Sequence, residues 1–158
     1  ITNTLEYKGI DFSFMFQFNY GNDIYNATRL YATQSRSSRR NMLAEVADRW
    51  SPTNASNLVP SYDGYITNDV YSRFVEDGSF LRLKNITLGY TLPKALTRKL
   101  TIERLRFYVQ AENLVTWTKY WGFDPEISSG PDGIKSLGID RGVYPQARTF
   151  TVGVNVSF

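Results

Sequence analysis

The chain has 158 residues, long enough for one ordinary domain with a core of its own, and its formal charge of +3 is too small to argue for a nucleic-acid partner. It holds neither cysteine nor histidine, which excludes disulfide frameworks, thiol nucleophiles, imidazole bases and the common zinc sites together. Aromatic residues make up 15% of it, an excess that suits strands, binding surfaces or the girdles of membrane barrels.

Residues 1–6 read as the tail of a strand and "YKGI" (residues 7–10) as a tight turn. From there "IDFSFMFQFNY" alternates without a break, with Ile10, Phe12, Phe14, Phe16, Phe18 and Tyr20 on one face and Asp11, Ser13, Met15, Gln17 and Asn19 on the other. In a soluble sandwich that phenylalanine face must be wholly buried against a second sheet, whereas in an outer-membrane barrel it is the lipid side. Residues 21–78 form a long connection. Within it "RRNMLAEVADRW" predicts a short helix with Met42, Leu43, Val46 and Trp50 on one stripe, and "WSPTNASNLVPSYDGY" reads as irregular loop. The basic run "SRSSRR" is read as a solvated loop or helix start, and "NAS" at Asn54 as a chance match to a glycosylation pattern.

Three more strands follow. "NITLGYTL" sets Ile86, Leu88, Tyr90 and Leu92 against Asn85, Thr87, Gly89 and Thr91; "LRFYVQAENLVTWT" sets Leu105, Phe107, Val109, Ala111, Val115 and Trp117 largely against Arg106, Tyr108, Gln110, Glu112 and Thr116. The phase breaks at Asn113 and Leu114, and again between Leu81, Leu83 and Ile86, where either a β-bulge or a stretch wet on both faces is expected. The last strand, "RTFTVGVNVSF", is the cleanest, with Phe150, Val152, Val154, Val156 and Phe158 on its apolar side. Connections alternate between short or moderate (7–10, 93–104) and long (21–78, 119–146), the rule of antiparallel outer-membrane barrels, and this places both long segments outside the cell. No run of about 18 apolar residues reads as a transmembrane helix, and "ITNTLEYKGI" lacks the pattern of a signal peptide.

Asp124 and Glu126 in "GFDPEI" are carboxylates two apart in a proline-containing loop, a pattern that suits a turn better than acid/base work or a cation needing about 6–8 oxygens. Asp11, Arg82, Lys84, Arg106 and Glu112 sit on polar strand faces, where cross-strand pairing is the default. Tyr62, Tyr65, Tyr71, Trp121 and Phe123 lie in the long segments as candidate contacts to a sugar, a peptide or a lid protein. Trp117, Tyr120 and Trp121 follow a strand end and suit an interfacial aromatic belt. No catalytic residue, metal site or cofactor is expected.

The stretches "FVEDGSFLRLKNITLGYTLP" (residues 74–93), "LRFYVQAENLVTWTKYWGFDPEI" (105–127) and "GIDRGVYPQARTFTVGVNVSF" (138–158) resemble the C-terminal end of SusC/RagA-type TonB-dependent transporters of Bacteroidota; "YKGIDFSFMFQFNYGNDIYN" (7–26) resembles the preceding hairpin. Only residues 29–69 give little resemblance. The resemblance implies an all-β fold, the C-terminal part of a 22-stranded transmembrane β-barrel, with long extracellular loops and a short loop helix. Residues 1–158 would be barrel alone, with the plug, the TonB-binding segment and the N-terminal strands before Ile1. It implies import of a bulky nutrient, glycan or peptide, across the bacterial outer membrane without covalent chemistry, with TonB and a SusD-like surface lipoprotein as partners. Phe12, Phe14, Phe16, Phe18, Ile86, Leu88, Phe107, Val109, Phe150, Val152, Val154 and Val156 would then face membrane lipid, and Phe158 would be the C-terminal signal for barrel assembly. The competing expectation is a secreted β-sandwich that binds carbohydrate through its aromatic loops.

Overall fold

The computed structural model describes residues 1–33, 41–56, 58–61, 70–98, 101–127 and 137–158. In chain order its strands are β1 (Thr2–Tyr7), β2 (Ile10–Asn19), β3 (Asp23–Asn26), β4 (Val75–Asp77), β5 (Phe80–Thr91), β6 (Arg104–Thr118), β7 (Ile139–Asp140) and β8 (Thr149–Ser157), with two short helices, α1 (Ala27–Thr33) and α2 (Lys94–Thr97). The chain divides into a sheet unit, Ile1–Tyr20 with Ser79–Lys119 and Pro145–Phe158, and a loop unit, Gly21–Gly78 with Tyr120–Tyr144.

The sheet unit is five antiparallel strands in the order β1-β2-β5-β6-β8. Lys8 and Gly9, both at positive φ (47° and 85°), make the tight turn between β1 and β2, as hairpins of this hand require. Register then carries the alternation of each strand across the whole sheet. Leu5 faces Phe12, Phe12 faces Leu88, Leu88 faces Val109 and Val109 faces Val152; one row on, Phe14, Ile86, Ala111 and Phe150 line up. The opposite face reads Thr4, Ser13, Thr87, Gln110 and Thr151.

Of the two explanations for the phase breaks, the bulge is what forms. Leu83 pairs with Phe16 and Val115, and Asn85 with Met15 and Glu112, so Lys84 is an extra residue against β2 and meets both Asn113 and Leu114 on β6. Asn113 takes a positive φ of 51°, which asparagine tolerates better than most residues, and its side-chain amide donates to the Ala147 carbonyl at 3.0 Å. The one-residue shift returns Leu81 and Leu83 to the face of Ile86 and Leu88.

The loop unit holds a second sheet, β4-β3-β7, with β3 antiparallel to β4 and parallel to β7. Two buried clusters pack there: Leu30, Val59 and Phe74 with Tyr25 and Tyr71 against them, and Ile24, Tyr120 and Ile127 with Val143. Of the helix expected over residues 39–50, residues 39 and 40 lie outside the described residues and the rest is corrected to a five-residue 3-10 turn, Ala44–Asp48, flanked by extended backbone at Leu43 and Arg49. So short a turn cannot present a stripe: Val46 is buried, while Met42 and Trp50 are exposed. The α-helix of this segment lies earlier, at Ala27–Thr33, started by Asn26, whose Oδ1 accepts from the Arg29 N–H at 2.8 Å as an N-cap. Asn54 is a turn former too, its amide donating to Asp48 Oδ1 at 3.0 Å and to the Arg49 carbonyl at 3.2 Å. No helix among the described residues is long and apolar enough to cross a membrane, which says nothing of strands.

Candidate functional site

The sheet has two unlike surfaces, and both are built by register alone. On the apolar face Phe12, Phe14, Phe16, Phe18, Ile86, Leu88, Phe107, Val109, Phe150, Val152, Val154 and Val156 all lie together. Val152 is 81% exposed and Phe150 71%. Phe12, Phe14 and Phe16 are half-buried and run as a row of rings that ends at Trp117, with successive ring centroids 5.7, 5.8 and 6.5 Å apart. Phe158 follows β8 and is also exposed.

On the polar face Arg106 of β6 reaches across β5 to Asp11 of β2, with Nε donating to Oδ1 at 2.8 Å and Nη2 to Oδ2. Gly89 makes this possible, because a Cβ there would land on both the carboxylate and the guanidinium. In the same row Tyr108 lies over Gly153, and the Arg106 guanidinium sits 5.1 Å from the Tyr108 ring centroid. Arg82, nearly inaccessible, donates from Nε to Thr116 Oγ1 at 2.9 Å. The expected cross-strand pairing thus holds for Asp11 and Arg82, while Glu112 accepts from Gln110 on its own strand at 2.8 Å.

In the loop unit the polar centre is Arg29. Its Nε and Nη2 grip both oxygens of Glu45 at 3.0 and 2.7 Å, and Nη1 reaches Glu76 Oε1 at 3.2 Å. The indole of Trp121 covers the guanidinium at 5.4 Å, and the Trp121 backbone N–H donates to Glu76 Oε2 at 3.1 Å. Hydrogen bonding to Arg29 holds the Glu45 carboxyl below the usual range against the opposing effect of burial, and the two carboxylates raise Arg29. A second tie joins the Tyr120 hydroxyl to Asp140 Oδ2 at 2.6 Å, while Asp140 Oδ1 accepts from the N–H groups of Gly142 and Val143 at 2.8 and 3.1 Å. Burial, then this hydrogen bond, pushes the Tyr120 phenol well above its ordinary value.

These ties re-sort the aromatic residues. Tyr120 is 6% exposed and leaves the expected interfacial belt for the core; Tyr71 packs edge-on against Phe74; Trp121 and Phe123 are 54% and 74% exposed; Tyr62 and Tyr65 lie outside the described residues. Asp124 Oδ1 accepts from the Glu126 N–H at 2.9 Å, which makes this pair a turn. Among the described residues no cluster of carboxylates could hold a metal ion. The Arg29–Glu45–Glu76 node is the feature that sequence reading missed, since its members lie 16 and 47 residues apart and no spacing announces them.

No family model matches the chain. TonB-dependent receptor P3 of Formosa agariphila is 39% identical over 160 residues, covering 99% of this chain and 16% of that protein. TonB-dependent receptor SusC of Bacteroides thetaiotaomicron is 31% identical over 160 residues, covering 100% of this chain and 15% of that protein. The chain belongs to the SusC/RagA-type TonB-dependent receptors. Solved structures of the RagAB peptide transporter and of the RagAB peptide importer in its open-open state each superpose with a TM-score of 0.83 at 29% identity over 99% of this chain, which corresponds to 17% and 16% of those chains. The segment therefore spans about one sixth of the length of the receptors it matches. It is outer-membrane β-barrel sequence, and its antiparallel sheet is the barrel-like part of the chain.

Proposed function

We propose that this TonB-dependent receptor segment forms wall, terminal seam and outer mouth of an importer for a bulky nutrient. One observation carries the reading: one face of the sheet is apolar, with much of it exposed on β8, and the other is polar, with Asp11 and Arg106 paired across β5. Such a sheet suits a bilayer on one side and a watery lumen on the other. Residues 1–158 are the C-terminal portion of the barrel in this reading, and β8 closes it against the first strand, leaving no free edge. The twelve apolar residues from Phe12 to Val156 face lipid, and Phe158 marks the chain for barrel assembly. The segments 21–78 and 119–146 are the extracellular part, where Tyr71, Trp121 and Phe123, with Tyr62 and Tyr65 of sequence position alone, offer contacts to cargo or lid.

Likeness to the RagAB peptide importer makes an oligopeptide the first cargo to test, with an oligosaccharide second. The same likeness, with that to SusC, supports a SusD-like lipoprotein as outer partner and TonB as the source of work through a part of the receptor outside residues 1–158. Chemistry on the cargo is no part of this role, in keeping with relatives that are receptors and transporters.

The test is uptake by the complete receptor in cells that either have or lack TonB, using a labelled oligopeptide mixture and a labelled oligosaccharide mixture. Accumulation of one mixture that requires both receptor and TonB is the expected result. Accumulation of neither, by a receptor shown to be in the outer membrane, contradicts the importer reading.

A further inference from the structure

The net charge of the chain is concentrated in one short connection. Residues 93–104 hold Lys94, Arg98, Lys99 and Arg104 against Glu103, a net +3 that equals the charge of all 158 residues. This connection leaves the end of β5 where the β1–β2 turn arrives, because the Thr91 N–H donates to the Gly9 carbonyl at 2.7 Å. Lys8 of that turn therefore joins Lys94 and Arg98 at one rim of the sheet, and all three are exposed and form no ion pair among the described residues.

The apolar side of this rim is aromatic. Tyr7 and Tyr90 stand in the row Tyr7, Ile10, Tyr90 on the apolar face, 69% and 43% exposed, and the Lys8 ammonium lies 5.2 Å from the Tyr7 ring centroid. Leu96, between Lys94 and Arg98, is exposed as well. Cations that carry apolar stems, phenols at the edge of an apolar band and an exposed leucine form the pattern that meets a lipid headgroup while keeping its alkyl parts in the acyl boundary.

We propose that this rim is a binding collar for anionic phospholipid headgroups, with Lys8, Lys94 and Arg98 on the lipid phosphate and Tyr7, Tyr90 and Leu96 against the glycerol and upper acyl region. Charge complementarity selects an anionic lipid over a zwitterionic one, and continuity with the apolar face selects a lipid over a soluble anion. The proposal rests on the importer reading only in taking that face to border a bilayer. In a barrel with short periplasmic turns the collar lies at the inner-facing leaflet.

The experiment uses the complete receptor in nanodiscs of phosphatidylcholine with and without phosphatidylglycerol, counting retained lipids by native mass spectrometry. Phosphatidylglycerol should be retained in preference to phosphatidylcholine, and increasingly so as salt is lowered. The triple variant Lys8→Gln, Lys94→Gln, Arg98→Gln should weaken that retention roughly tenfold to a hundredfold. The charge-keeping variant Lys8→Arg, Lys94→Arg, Arg98→Lys should retain it. Equal retention of the two lipids, an unchanged triple variant, or full displacement of the lipid by inorganic phosphate each overturns the proposal. A receptor that enters nanodiscs but shows no lipid preference refutes the collar alone; one that never enters them refutes the importer reading beneath it.

Discussion

The sheet unit and the loop unit of this chain solve the same problem with opposite geometry. In the loop unit Ile24, Leu30, Val59 and Phe74 are inside, in apolar clusters of the ordinary buried kind. In the sheet unit Phe150, Val152, Val154 and Val156 are outside, and cohesion comes from the backbone ladder and from rings packed side by side along one face. In the role proposed above, one chain is adapted to two solvents, and the place of its apolar residues tells which segment belongs to which.

The largest way to break this comparison is at Phe74, which is 0% exposed in the loop core. Phe74→Ala should cost the loop unit about 3–5 kcal/mol. Hydrogen exchange on the complete receptor should show protection lost across β3 and β4 while β5 and β6 keep theirs; equal loss in both units would mean that they share one core. Next is Phe14→Arg on the apolar sheet face, with an expected cost of about 2–4 kcal/mol near a bilayer midplane and much less for Ser13→Arg on the polar face. Unfolding titrations in lipid vesicles measure both, and similar costs for the two neighbours would count against a sheet with two solvents.

Arg29→Gln tests the loop unit from its polar side. It takes from Glu45 and Glu76, both partly buried, the hydrogen bonds of the guanidinium, at a cost of about 1–3 kcal/mol. Trp121 also loses the guanidinium beneath its ring, so its fluorescence in the complete receptor should shift toward that of a freer indole. An unshifted spectrum would show that the indole is held by other contacts.

The smallest effect is one of pH. Because the folded carboxyl of Glu45 is held below its ordinary value of 4.5, its contribution is complete above that value and is lost as pH falls through the lower folded one. Loop-unit stability, followed by hydrogen exchange, should therefore decline on acidification below about pH 4.5 in wild type, and by less in Glu45→Gln. Identical acid profiles for the two proteins would remove Arg29–Glu45 from the account.

The same division explains what could be read in advance. The strands were legible because the alternation of "IDFSFMFQFNY" and "RTFTVGVNVSF" has a period of two on a face that is uniformly apolar, so each residue reports its side. Even the bulge left a mark, as the parity change between Leu83 and Ile86. In the loop unit burial depends on partners far along the chain. Tyr120 resembled a belt residue until Asp140 took its hydroxyl, and the apolar positions of residues 39–50 suggested a helix that the extended backbone at Leu43 and Arg49 limits to a short turn. Local pattern follows backbone geometry closely and long-range pairing hardly at all.

The central claim is that adjacent residues of one strand face different solvents, and β8 offers the sharpest test. A nitroxide or fluorophore is placed in turn at Thr151 and Val152 of the complete receptor in lipid vesicles, and its accessibility to a lipid-borne and to a water-soluble quencher is measured. The account predicts that Val152 answers to the lipid-borne quencher and Thr151 to the water-soluble one. Quenching of Val152 from water, or protection of that position from both agents, would contradict it.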